Sequence, residues 1–171
     1  MATFTNLDGL PQRYGTDRAS DTLAVNETGS LNRLVVKLNN AANIDANDDD
    51  PMTATGMAEF KDENTPFLPA KSYITRAYFV VTTAFAGSSG ALDIGLMQAD
   101  GTVVDIDAID DGIAVTAIDA VGDVVNCNGA AVGGVVKTSA TLDTYVCFTE
   151  DPTNAFTAGA GYLVLEYFQA P

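Results

Sequence analysis

The sequence predicts a mainly β protein: an antiparallel β-sandwich, jelly-roll-like, with one short helix and an extended N-terminal arm. Three observations predict it. Short runs of β-branched, aromatic and aliphatic residues recur along the chain, separated by Gly, Asn and Asp clusters. Only one stretch carries a helical period. A length of 171 residues with 47% hydrophobic content suffices for one domain with a real core. No internal repeat recurs at a fixed period, which argues against a solenoid or propeller.

Along the chain, residues 1–28 hold scattered apolar side chains (Phe4, Leu7, Leu10, Tyr14, Leu23, Val25) without strand or helix period, and read as an arm; residues 29–171 read as the sandwich domain. Leu31–Leu38 puts Leu34, Val36 and Leu38 on one face and Arg33 and Lys37 on the other, the alternation of a half-buried strand. Asn39–Pro51 is a polar loop, and Met57–Phe60 a short strand candidate. Pro66 and Pro69 confine their stretch of chain to an edge or turn. Ser72–Phe85 is the strongest strand signal, apolar on both faces and therefore central. Gly87-Ser88-Ser89-Gly90 turns the chain into Ala91–Gln98, and Ala99-Asp100-Gly101 is a hairpin turn leading to Thr102–Asp105.

Asp105–Ala120 is the helix candidate: Ile106, Ile109, Ile113 and Ala117 fall on one stripe, and the aspartates crowd its first half, where a helix dipole favours them. Strands resume at Gly122–Asn128, Val132–Thr138 and Thr144–Thr149. Gly161–Phe168 closes the chain, with Leu163, Leu165 and Tyr167 inward against Val164 and Glu166.

Composition excludes several classes of function. The chain has no His and no Trp, so His-based acid–base, triad and metal schemes are unavailable. Eight Lys and Arg against 23 Asp and Glu give a net charge of −15, the wrong sign for binding nucleic acid. No apolar run is long enough to span a bilayer, and the N-terminus lacks the charged and apolar regions of a signal peptide, so synthesis in a cytosol is expected. The charge is also divided unevenly. Residues 1–40 balance Arg13, Arg18, Arg33 and Lys37 against Asp8, Asp17, Asp21 and Glu27, so the whole −15 falls on residues 41–171.

The remaining constellations point to no chemistry. Asp45 to Asp50 starts like a calcium loop, but Asp50 stands where that loop needs Gly and Gly56 where it needs Glu. Asp105, Asp107, Asp110 and Asp111 have the composition of a cation site or a glycosidase pair, yet helix N-terminal charge is the simpler account. Gly129 to Gly134 lacks the Lys-Ser/Thr of a phosphate loop and reads as a bend between strands. Cys127 and Cys147 read as small buried thiols, with a disulfide as the other reading. No cofactor, metal or catalytic residue is expected, and the chain does not read as an enzyme.

Three segments carry a family likeness: the opening TFTNL (3–7), the middle IGLMQADGTVVDIDAIDDGIAVTAID (94–119), and the close AFTAGAGYLVLEYF (155–168). Together they resemble the head decoration, or capsid cement, proteins of tailed bacteriophages. The resemblance implies a structural virion protein on the outer capsid surface, bridging major capsid protein subunits, with a homotrimer as the first expectation and a dimer as the second. The arm then supplies the capsid contacts, with Phe4, Leu7, Leu10 and Tyr14 as apolar anchors and Arg13 and Arg18 as partners for acidic groups. The alternative from the same setting is a tail or fibre adhesin recognising a host receptor or glycan, although the absence of Trp and the broken calcium loop weigh against it.

Overall fold

The computed structural model describes residues 2–5, 11–14, 31–44, 66–87, 90–98, 102–134, 142–150 and 155–169. Two units divide the chain, Met1–Ser30 with Pro171 and Leu31–Ala170. In the first, β1 (Ala2–Thr5) and β2 (Pro11–Tyr14) pair antiparallel. The expected extended arm contains a two-stranded ribbon: backbone pairing supplies order where side-chain periodicity gives no cue.

Among the described residues, the second unit holds seven strands in two antiparallel sheets. β3 (Asn32–Leu38), β9 (Phe156–Gln169), β4 (Ser72–Gly87) and β7 (Val124–Asn126) form one in that order, and β6 (Val103–Ala114), β5 (Ala91–Gln98) and β8 (Thr144–Glu150) form the other. β4 is flanked on both sides, as its sequence predicts. Its outward residues Tyr73, Tyr78 and Val80 are half-buried rather than covered, so the second apolar face is not a second core.

One core lies between the inner faces. The four-stranded sheet contributes Val36, Leu38, Ile74, Ala77, Phe79, Val81, Phe85, Leu163 and Leu165, and the three-stranded sheet Leu92, Ile94, Leu96, Ile109, Ile113, Val146 and Phe148. Phe79 links them through edge contacts with Phe85 and, across the sandwich, Phe148, at 5.8 and 6.4 Å between ring centroids. The segment after β7 stitches the layers at one edge. Cys127 and Gly133 donate backbone hydrogen bonds to Ala77 and Ile74 of β4, while Gly129 and Ala131 donate to Ile109 and Ala108 of β6. The glycine-rich bend is thus an inter-sheet strap, and a Cβ at Gly129 would strike the Ala108 carbonyl.

The helix expected over Asp105–Ala120 is not present. Residues 103–114 form β6, followed by a 3-10 turn at Val115–Ala117. Ile106 is 39% exposed while Ile109 is 0% exposed, so residues three apart do not share a face as a helix requires. The alternation of Asp105, Ile106 and Asp107 is a strand period, and β-bulges disguise it. From Asp105 to Asp110, β6 advances five residues while β5 advances only from Leu96 back to Ile94. Gly112, at φ +84°, takes a backbone conformation that suits it alone. Of the other expected strands, Val132–Thr138 reduces to a single parallel bridge between Ile74 and Val132, with residues 135–138 outside the described residues. Met57–Phe60 also lies outside them, as does most of the Asn39–Pro51 loop beyond a 3-10 turn at Ala41–Asn43.

Candidate interaction surfaces

Of the six residues expected to touch a capsid, Phe4, Arg13 and Tyr14 lie on the β1–β2 ribbon, opposite Gln12, Thr3 and Ala2. Leu7, Leu10 and Arg18 lie outside the described residues, as does the calcium-like run Asp45–Asp50.

The aspartates assigned above to a helix N-terminus belong instead to a strand-borne cluster. Asp93 projects from the outer face of β5, between the core-facing Leu92 and Ile94. Partial burial raises its carboxyl above the ordinary range, and the charges of Asp111, Asp107 and Asp110 raise it further, against an opposing hydrogen bond from the Gly112 backbone. Asp105 is raised by a side-chain hydrogen bond to Asp107, then by burial. Asp110, 6% exposed, is raised by burial although the Asn128 N–H donates to its Oδ2 at 3.3 Å. Burial is the largest cause at Asp93 and Asp110 and the shared hydrogen bond at Asp105, with the neighbouring carboxylates adding to each. Among the described residues, no group of three Cys, Asp or Glu is arranged to hold a metal ion.

Both cysteines are free and buried. Cys127 joins the main core, and Cys147 packs with Met97 beneath Tyr145 in a separate cluster. Burial pushes each thiol up to about 12, so neither is a thiolate at neutral pH.

Sequence reasoning misses the outer face of the four-stranded sheet. The strand register assembles rows across it: Arg33–Glu166–Arg76, Val35–Val164–Tyr78–Asn126, and Lys37–Tyr162–Val80–Val124. Arg33 pairs with Glu166 at 3.3 Å, the Lys37 ammonium lies 5.9 Å from the Tyr162 ring centroid, and Arg76 lies 5.3 Å from that of Tyr78. Tyr73 stacks on Phe168 at 5.0 Å on the same face. Val35, Val124, Tyr162 and Phe168 are exposed, Val124 to 56%. Three of the chain's eight cations thus share one aromatic sheet face with a single acid among the residues in register.

Fold and surface together define a two-sheet antiparallel β-sandwich with segregated charge on its outer faces. The chain is similar in fold to a chain of the capsid of Ralstonia phage GP4, with a TM-score of 0.52 and 14% identity, over 84% of this chain and 87% of that one. No family model and no curated protein matches it. Among the described residues, no helix is long and apolar enough to cross a membrane.

Proposed function

We propose that this chain is a non-catalytic structural protein of a phage virion, a head decoration protein that binds the outer surface of the assembled capsid and bridges major capsid protein subunits. The observation that carries this reading is the likeness in fold to a chain of a phage capsid along most of both chains. The composition supports it: a −15 chain without His suits a hydrated shell surface better than acid–base chemistry or contact with packaged DNA. Residues 1–28 are the capsid-gripping segment in this reading. Each apolar anchor there contributes about 1.5–3 kcal/mol before ordering costs, and repetition on a lattice multiplies weak contacts into avidity.

Two measurements test it. Quantitative gels of purified virions are expected to show on the order of hundreds of copies per particle, as lattice coverage requires. About a dozen copies or fewer would favour the tail adhesin instead. Deleting residues 2–28 is expected to abolish binding to undecorated capsids while leaving the β body folded. Binding that survives the deletion refutes the assignment of the grip to that segment.

A further inference from the structure

The outer face of the β3–β9–β4–β7 sheet has no part in the proposed capsid grip, yet it is the least expected surface of this molecule. A chain of net charge −15 places Arg33, Lys37 and Arg76 on one side of a sheet against Glu166 alone, interleaved with exposed Val35, Tyr162, Val124 and Phe168. Cations over aromatic rings beside exposed apolar side chains suit an anionic protein surface: the rings supply area and the cations supply direction. The same chain carries the complement. Asp93, Asp107 and Asp111 crowd on the β5–β6 side of the other sheet, with Asp105 and Asp110 adding to their repulsion. A cation brought against that cluster offsets the mutual repulsion of its carboxylates. The two patches sit on sheets whose inner faces share one core, so their outer faces point away from each other and cannot meet within one copy.

We propose that the outer face of the four-stranded sheet is a self-association surface that receives the β5–β6 carboxylate cluster of a second copy. The contact is heterologous: each copy offers one patch forward and the other back, so assembly closes into a ring or continues as a chain of copies. This bears on the homo-oligomer expected from the sequence and does not depend on the proposed binding to a capsid.

The test is sedimentation equilibrium of the full chain. The wild type is expected to self-associate in about 20 mM salt, with affinity falling at least about tenfold by about 500 mM as screening grows. Lys37→Glu with Arg76→Glu reverses the cationic face; Asp107→Lys with Asp111→Lys reverses the acidic one. Each double variant alone is expected to lose association by at least about tenfold. An equimolar mixture of the two should regain it, because one retains an intact cluster and the other an intact cationic face. Near-UV circular dichroism checks folding, and a variant that fails it is replaced by Lys37→Gln or Asp111→Asn with the same readout. A wild type that stays monomeric in low salt overturns the proposal. So does association that persists when either patch is reversed, or a mixture of folded variants that does not recover. Capsid binding is not read in this experiment, so the two proposals fail separately.

Discussion

The two sheets share a core and differ in almost everything else. The four-stranded sheet is regular where β3 meets β9, with seven consecutive residue pairs in unbroken register, and its outer face collects cations and aromatic rings. The three-stranded sheet is broken by bulges where β5 meets β6, and its outer side collects carboxylates. Regular register stacks like positions into rows across strands, so a few cations far apart in sequence become neighbours. Bulging instead crowds residues close in sequence, so a run of aspartates on one strand stays a cluster in space. Each sheet in fact combines an unbroken pairing, β3–β9 or β5–β8, with a bulged one, β4–β9 or β5–β6. Arg76 joins its row just after a bulge, so surface character derives from which residues each pairing brings together.

The largest effect expected from breaking this comparison lies in the shared core. Phe79→Ala removes a fully buried ring in edge contact with Phe85 and Phe148, and should cost about 3–5 kcal/mol in urea unfolding. On the outer face of the same sheet, Val124→Ser should change stability by no more than about 0.5 kcal/mol. Comparable losses at the two positions would mean that the outer face is packed inside the isolated chain, contrary to the exposure of Val124.

A smaller loss is expected at the bulge. A Cβ at Gly95 would run into the backbone carbonyls of Asp105 and Ile106, which the bulged β6 brings against β5. Because backbone cannot step aside as a flexible side chain can, Gly95→Ala should cost about 1–3 kcal/mol. A neutral result would show that the bulge is pliant and that the irregularity of this sheet does not store tight packing.

Much of this architecture is legible in the sequence, for reasons that also explain the rest. β4 and β9 announce themselves because long β-branched and aromatic runs have few other uses, and the Leu34, Val36, Leu38 alternation marks β3. The β6 region misleads because Ile109 and Ile113, four apart, share a face under either period, while Gly112 and the bulges hide the strand alternation. The cationic face lies beyond the reach of local patterns: Arg33 and Arg76 stand on strands joined through β9, whose Glu166 comes 133 residues after Arg33, and no short-range signal encodes that pairing. The ribbon of β1 and β2 is likewise a fact of backbone pairing.

The acidic side can be sharpened by pH. Asp93, Asp105 and Asp110 hold their protons more tightly folded than unfolded, since burial raises Asp93 and Asp110, the hydrogen bond with Asp107 raises Asp105, and neighbouring carboxylates raise all three further above 3.8. Between the unfolded value and the raised folded values the native state binds more protons, so stability falls as pH rises through that window. The thermal midpoint should therefore rise as pH falls through the raised folded values toward 3.8. Asp93→Asn should flatten that slope and stabilise the protein at pH 7 within the about 0.2–1 kcal/mol usual for exposed charge pairs. A variant less stable at pH 7 would mean that the hydrogen bond from Gly112 outweighs the repulsion.

The smallest effect belongs to the Arg33–Glu166 ion pair on the cationic face. Arg33 reaches Glu166 at 3.3 Å, but its side chain is 62% exposed, so screening and the entropy of fixing a long side chain offset most of the attraction. Glu166 also has Arg76 opposite it on the other neighbouring strand, and this second cation partly replaces the first when Arg33 is lost. Arg33→Ala should thus cost about 0.2–1 kcal/mol, and a double-mutant cycle with Glu166→Gln should return a coupling at the lower end of that range. A coupling well above it would identify the pair as a structural lock on the β3–β9 edge, and would place part of the face's charge in the service of the fold rather than of a partner.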